Sequence, residues 1–348
     1  MAGLFLSLSA RLLINVEALN MVEAVGNVTR HRRATIVLQD GDSYRKIEVP
    51  CVSGESLAHA YQVALVEAAQ AIYAREGADL LVCEWCARGE FFKSMDDAHT
   101  MQVVKEAIKG KKGPEQAHAF EREVVKNCLV EDVGGFLRAE RPPVKRTSRF
   151  QVGYLLPTTD AIAATALDTQ FHVRHAPSEA LRARPEERAA QMIYYVETGS
   201  ALYGLSFNLD VDGIGKTSMV KIEQVVDDDE RRRRVKAALA ALLTILSSKA
   251  FGAKRTRFLP LVEVKSLVAA LSAPMPFTVE PPSLSSFIES TRAKAGKFSA
   301  VLGRLGVDEE LYICAYSSEV EVPEGVEKAN SVEDLMDKLV ARTLEMLG

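Results

Sequence analysis

Polarity alternates along residues 4–14, where Leu4, Leu6, Leu8, Ala10 and Leu12 are interleaved with Ser7, Ser9 and Arg11. A period of two belongs to a strand with one buried and one open face, so Arg11 is expected to point away from the core. The strand leads through Asn15, Glu17 and Asn20 towards a basic loop, Arg30, His31, Arg32 and Arg33. Gly54, Glu55 and Ser56 then precede apolar residues at helical spacing, Leu57, Tyr61, Leu65, Ala68 and Ile72, which predicts a helix with one apolar face and Ser56 as its N-cap. Residues 192–196 and 202–211 read as two adjacent strands, the second with Tyr203, Leu205, Phe207 and Leu209 on one side. Asp227, Asp228 and Asp229 cap a helix carrying Val235, Leu239, Leu242 and Leu246, which ends near Phe251 and Gly252 before a last strand at 258–264.

In chain order these elements give an α+β chain with a βαββαβ core of the ferredoxin-like, RNA-recognition type. Residues 1–78 and 188–270 supply that core as a discontinuous domain. Residues 79–137 read as a mostly helical insertion, broken near Gly110 and Pro114. Residues 138–187 hold Pro142, Pro143, Pro157, Pro177 and Pro185 with few periodic apolar positions, so regular structure is expected to be sparse and the segment to protrude as a long thumb-like loop. Residues 271–348, with Pro274, Pro276, Pro281 and Pro282 followed by a helical pattern at 332–347, are expected to pack back on the core.

The chain's 348 residues exceed the usual single-domain size, which fits one core with large insertions or two domains. Hydrophobic content of 47% and charged content of 26% are globular values, and no apolar run nears the roughly 18 residues of a membrane span. The apolar start lacks a basic leader and contains Arg11, so it reads as a strand of a cytoplasmic protein. Five cysteines in this length do not make a disulfide framework.

A net charge of −4 hides local basic clusters at Arg30 to Arg33, at Lys109, Lys111 and Lys112, across Arg138, Arg141, Lys145, Arg146 and Arg149, and at Lys254, Arg255 and Arg257. Four such clusters at predicted element ends point to a surface that tracks phosphates. Aromatic content is only 7%, and the strands offer Arg11, Asn15 and Ser206, so recognition through the nucleic-acid backbone is expected in place of stacking on the sheet.

Gly215, Lys216 and Thr217 imitate the end of a P-loop, but Asp210 stands where its first glycine belongs, which excludes nucleotide hydrolysis. Asp210, Asp212 and Gly213 lack the further carboxylates of a calcium loop. Cys83 and Cys86 form one CxxC pair, half of a zinc site, with Cys51, Cys128, His59, His99 and His118 as the remaining possible donors. No metal and no cofactor is therefore assigned. His172 and His175 flank Arg174 near Arg182 and Arg184, a setting for stacking on bases and gripping phosphate. His31 is taken as a contact of the basic loop, and Gly54, Ser56 and His59 as residues around helix-terminal amides able to hold a phosphate.

The stretch ARLLINVEALNMVEAVGNVTRHRRA, followed by VSGESLAHA, by VETGSALYGLSFNLDVDGIG at 196–215 and by GAKRTRFLPL at 252–261, resembles the CRISPR-associated autoregulator (DevR/Csa-type) family. That family is the RNA-binding backbone subunit of the archaeal type I-A Cascade interference complex. The resemblance implies a ferredoxin-like fold without a catalytic centre that polymerises head to tail along single-stranded guide RNA (crRNA). It further implies a thumb reaching over the RNA to the next subunit, a guide groove bordered by Lys254, Arg255 and Arg257, other interference-complex subunits as partners, and the target DNA strand as a further candidate. The expected contacts are phosphates at Arg11, Arg32, Lys254 and Arg255, polar positioning by Asn15 and Asn20, and loop contacts from His172 and Arg174. Two rival readings stand beside this one. The first is an endoribonuclease of the same fold group using His31, His172 or His175; the second is a zinc-stabilised protein-interaction scaffold.

Overall fold

In the computed structural model, which describes residues 3–173 and 193–348, the alternating segment forms strand β1 (Phe5–Glu17). It is followed by β2 (Met21–Val25), β3 (Val28–His31) and a hairpin of β4 (Arg33–Asp40) and β5 (Ser43–Pro50). Helix α1 (Gly54–Glu76) leads into a lobe of short helices, α2 (Glu84–Ala87), α3 (Gln102–Ala107), α4 (Gly113–Asn127) and α5 (Leu129–Gly134). Then come β6 (Phe136–Arg138), β7 (Val144–Arg146), β8 (Phe150–Val152), β9 (Leu156–Pro157), a 3-10 turn at Thr159–Ala164 and β10 (Ala166–Val173). The remaining elements are β11 (Ile193–Asp210), α6 (Asp228–Ser247), β12 (Leu261–Ala273), α7 (Phe287–Arg304), β13 (Glu310–Ser317), β14 (Glu327–Lys328) and α8 (Val332–Leu347).

β1 is the centre of the main sheet, whose order is β14-β13-β12-β1-β11-β3-β2, with β8, β9 and β10 also paired to β11. Both neighbours of β1 run antiparallel to it, with Leu8 opposite Phe207 on one side and Ala269 on the other. Its even-numbered residues meet α1 and α6 in a core that includes Leu6, Leu8, Leu65, Tyr61 and Leu239. The two helices are tied by the Tyr61 hydroxyl, which donates to the Ala238 carbonyl at 3.0 Å, and the Tyr73 hydroxyl, which donates to Glu230 at 2.6 Å.

The other face of β1 is not open, and here the expectation for Arg11 is corrected. A second apolar cluster, built from Val268 and Ala270 of β12 with Phe277, Val279, Phe287 and Ile288, closes over it. Ser7 accepts from the Val279 amide at 3.1 Å, so the buried hydroxyl is satisfied by the segment that covers it. Arg11 is 2% exposed; its guanidinium pairs with Asp160 at 3.0 Å and Glu319 at 2.7 Å and donates to the Pro282 carbonyl.

The two strands expected at 192–196 and 202–211 are a single strand, β11. Gly199 lies between the two stretches, and the structure uses it for close approach: a Cβ there would lie 2.5 Å from Glu17 Oε1 and 3.0 Å from the Tyr203 hydroxyl oxygen. The second partner of β11 comes instead from β8 and β9, inside a segment whose prolines argued against strands. Pro157 is accommodated because it pairs at a short edge ladder, opposite Tyr203. Helix α6 begins at Asp228, with Asp227 as N-cap accepting from the Glu230 amide at 2.7 Å. The N-cap of α1 is Ser53, three residues before the expected Ser56, and it accepts from the Ser56 amide at 3.3 Å. The last core strand starts at Leu261 and extends to Ala273. Among the described residues no helix is long and apolar enough to cross a membrane.

Candidate nucleic-acid interface

Four segments far apart in the sequence are fastened together by backbone hydrogen bonds at one end of the sheet. The Arg32 amide donates to the Asn20 carbonyl at 2.8 Å, and the Cys51 amide to the Arg32 carbonyl at 3.0 Å. The Ser53 amide donates to the Asn20 side-chain oxygen at 3.0 Å, which fixes the start of α1 against the end of β1. The Ala253 amide donates to the Leu19 carbonyl at 2.7 Å. Gly252 makes that last contact possible, with φ of +81° and a Cβ position that would fall 2.6 Å from the Leu19 side chain. Asn20, Arg32, the α1 N-terminus and the basic turn after α6 thereby share one surface.

A cleft of 470 Å³ opens between the last two of these, lined by Ser56, His59 and Val63 of α1 and by Phe251, Gly252 and Arg255 of the turn. Arg32, Lys254 and Arg255 carry no salt bridge among the described residues. The Arg32 Nε is buried without a hydrogen-bond partner, while its backbone is held at both N–H and C=O, so the side chain leaves from a fixed root. Partial burial and the charge of Arg257 together lower the pKa of Lys254. Arg32 has the exposed Glu55 carboxylate in its field, whereas Lys254 and Arg257 repel one another and Lys254 and Arg255 have no salt bridge among the described residues, which prepares the turn for a polyanion. Lys254 also has φ of +52°, a conformation rare for a side chain of this kind.

Beside the cations lies a group of rings. His172 stacks on Tyr194 with centroids 5.1 Å apart and planes 20° apart, and meets Phe258 edge-on at 5.4 Å. Arg257 Nη1 reaches the Tyr194 hydroxyl at 3.5 Å, which joins the rings to the basic turn. Tyr194 and Phe258 were not among the residues picked out from sequence. Phe258 directly follows the Lys254 to Arg257 run, and Tyr194 faces His172 across the β10 and β11 ladder.

The remaining expected residues fall elsewhere. Asn15 is half-buried near the end of β1, opposite Leu261. His59 is exposed and rests edge-on against Phe91 at 5.1 Å. Gly54 opens α1, but the helix-terminal amides are largely engaged: Ser56 bonds Ser53, and the exposed Glu55 carboxylate is held below its ordinary pKa chiefly by its own amide, with help from Ser53. His31 is not a surface contact. It is 1% exposed, with Nε2 on Glu17 at 2.7 Å and Nδ1 on the Arg32 carbonyl at 2.7 Å. Two oxygen acceptors require both ring protons, and the His31 pKa is raised: burial opposes the charge, but Glu17 and the Arg32 carbonyl outweigh it. Arg174 lies outside the described residues, as do His175, Arg182 and Arg184.

Three residues of the basic cluster after residue 138 are corrected as well, while Arg141 and Lys145 are exposed. Arg138 pairs with Asp97 at 2.5 Å, Arg149 with Asp210 at 2.8 Å, and Arg146 lies fully buried between Glu121 and Asp132. Arg146 also donates to the Lys216 carbonyl at 2.7 Å, and Glu121 accepts from the Ser218 and Met219 amides, so the P-loop-like turn is a structural clasp. Cys83 and Cys86 are buried at the start of α2, close to Cys128 and Glu131.

Residues 8–292 match the family described as CRISPR-associated negative auto-regulator DevR/Csa2. The chain is 40% identical over 339 residues to the CRISPR-associated aCascade subunit Cas7/Csa2 2 of Saccharolobus solfataricus, covering 95% of this chain and 98% of that protein. It is 37% identical to the CRISPR-associated protein Cas7/Csa2 1 of the same organism over 302 residues, 86% of this chain and 89% of the relative. The fold also resembles a chain of a solved CRISPR RNA-guided surveillance complex, pre-nicking, with a TM-score of 0.53 at 12% identity over 97% of this chain and 99% of that one. A match of this extent across the same segments that build the cationic surface means that the chain belongs to the CRISPR-associated negative auto-regulator DevR/Csa2 family.

Proposed function

We propose that this protein is a non-catalytic backbone subunit of a CRISPR interference complex of the type I-A Cascade kind, binding single-stranded guide RNA through its phosphates. The observation that carries this reading is the cleft lined by Ser56, His59 and Arg255, with Lys254 beside Arg255 in the same turn and neither cation in a salt bridge among the described residues. A phosphate chain supplies the missing charge, and the His172, Tyr194 and Phe258 rings offer a flat surface to a base without demanding a particular one. Membership of the family and the likeness to named Cas7/Csa2 subunits support the assignment to an interference complex.

The ferredoxin-like core is part of the same proposal. It is supported by the antiparallel spatial order of β12, β1, β11 and then β8 with β9, joined through α1 and α6, which is a βαββαβ path with β1 at the centre. Repetition along the guide requires a head-to-tail contact that does not close on itself, and the thumb read at residues 138–187, of which 174–187 lie outside the described residues, is the proposed arm for it. Other complex subunits and the target DNA strand are further proposed partners.

Two observations weigh against the endoribonuclease reading. His31 is enclosed, with Nδ1 bonded to the Arg32 carbonyl and Nε2 paired with Glu17, so it is unavailable as an acid or base, and His172 is held within a ring stack. Titration of the purified protein against labelled single-stranded RNA of guide length, run in parallel on native and denaturing gels, tests the proposal. A ladder of shifted bands with intact RNA is the expected result. Cleaved RNA replaces the proposal with the ribonuclease, and no shift at low salt removes RNA binding.

A further inference from the structure

Four potential ligand atoms meet in the base of the helical lobe: the sulfurs of Cys83, Cys86 and Cys128 and a carboxylate oxygen of Glu131, all within 4.8 Å of one another. All four residues are buried. They come in two pairs of equal spacing, Cys83-x-x-Cys86 at the start of α2 and Cys128-x-x-Glu131 at the start of α5, so each short helical turn presents two donors on one side. The pairs already touch: the Cys83 amide lies 3.4 Å from Cys128 Sγ, and Cys83 Sγ lies 3.5 Å from Glu131 Oε1.

We propose that these residues form a structural zinc site. Zinc binds thiolate at about 2.3 Å and carboxylate oxygen at about 2.0–2.2 Å, which sets ligand atoms about 3.8 Å or less apart in a tetrahedron. The observed spacing needs only a small contraction to reach this. Soft sulfur donors in a closed, all-protein set favour zinc over the oxygen-loving magnesium and calcium. A fully buried carboxylate needs a cation or a complete set of donors, and Glu131 Oε2 has no hydrogen-bond partner among the described residues. Three thiolates and a carboxylate around a divalent ion leave two negative charges, and the half-buried Lys93 ammonium, which donates to the Gly134 carbonyl at 3.1 Å, is the nearby cation that offsets one of them.

Cys86 also lines a cavity of 350 Å³ with His59, Val63, Arg88 and Gly89, which gives the ion an entry path. The earlier possible donors divide cleanly. Cys128 joins the set, whereas His99 is bonded to Asp96 at 2.7 Å and stacked on Phe92, and His118 is bonded to Glu223. The ligands span the ends of the lobe, Cys83 and Cys128 being 45 residues apart, so the ion would pin both the entry and the exit of the insertion beside α1.

The test uses full-length protein grown with zinc and purified without chelator. Elemental analysis is expected to give one zinc per chain. Protein produced with cobalt in place of zinc is expected to show a thiolate-to-cobalt charge-transfer band with tetrahedral ligand-field bands, and Cys86→Ser to lower the charge-transfer intensity by about one third, since one thiolate of three is lost. Glu131→Gln is expected to keep the thiolate band but to weaken zinc retention by more than the roughly tenfold that loss of a supporting neighbour costs. Metal-free wild-type protein with a melting temperature unmoved by chelator overturns the proposal. So does a Cys83 to Cys86 disulfide in the isolated chain, or zinc retained undiminished when Cys83 and Cys86 are both changed to serine. The wild-type metal content and cobalt spectrum decide the matter even where a variant fails to fold.

Discussion

The chain carries two basic clusters that look alike in sequence, one across Arg138 to Arg149 and one at Lys254 to Arg257 with Arg32 beside it, and the fold treats them in opposite ways. In the first, Arg138, Arg146 and Arg149 are each neutralised by a carboxylate, and Arg146 sits with Arg234 around Asp132 in a fully buried network that ties the lobe to α6. In the second, Arg32, Lys254 and Arg255 have no salt bridge among the described residues, and Arg255 lines an open cleft. The difference is one of partners, not of composition. Buried arginines whose carboxylates are supplied by the fold hold the structure together, whereas cations left without counter-ions are available to an external one.

Substitutions separate the two. Removing Arg146 leaves Asp132 and Glu121 buried and uncompensated, and Arg146→Ala is expected to cost about 3–5 kcal/mol in denaturant unfolding. The RNA affinity of the remaining folded fraction should be unchanged; a stable variant with weakened RNA binding would move Arg146 into the interface. Arg11→Ala is the next largest effect. Loss of the charged hydrogen bond to Asp160 and of the ion pair with Glu319 is expected to cost about 2–3 kcal/mol, again read by denaturation, with the salt dependence of RNA binding intact.

His31 sharpens the comparison because it lies next to Arg32 yet belongs to the structural class. Its folded pKa is raised above the ordinary 6.5, so its stabilising contribution is full below that value and fades as pH rises through the folded pKa. The stability gap between wild type and His31→Gln, on the order of 2 kcal/mol at pH about 6, should therefore narrow towards pH about 9. A gap that widens with pH would mean that the ring is buried neutral. The smallest effect is expected at Arg30, whose 3.7 Å pair with Glu23 is exposed on both sides; Arg30→Ala should change unfolding by less than about 0.5 kcal/mol.

Much of the core was legible because its signals are local. The period-two pattern of β1 and the helical spacing of α1 and α6 need only neighbouring residues, and the structure has all three. What failed was what depends on distant chain. The polar face of β1 is covered by residues some 270 positions away, as the Ser7 to Val279 and Arg11 to Pro282 contacts record, so alternation identified a strand but not its exposure. Gly199 lies between the two expected stretches, and only the buried Glu17 carboxylate against it explains why β11 runs straight through.

The candidate site shows the same division. Ser56, His59, Lys254, Arg255 and His172 were each recognisable by residue type and element end. That Ser56 and Arg255 line one cleft follows from the Leu19 to Ala253 and Asn20 to Ser53 hydrogen bonds, which no local pattern encodes. Basic residues advertise their charge in sequence and conceal their partners, which is why Arg11, Arg138, Arg146 and Arg149 were read as available.

The central claim is most directly tested by the salt dependence of single-stranded RNA binding for the wild type and for the double variant Lys254→Ala with Arg255→Ala. The account predicts weaker binding, a slope of log affinity against log salt shallower by about one to two units, and an unfolding free energy changed by less than about 0.5 kcal/mol. An unchanged slope at unchanged stability would contradict it.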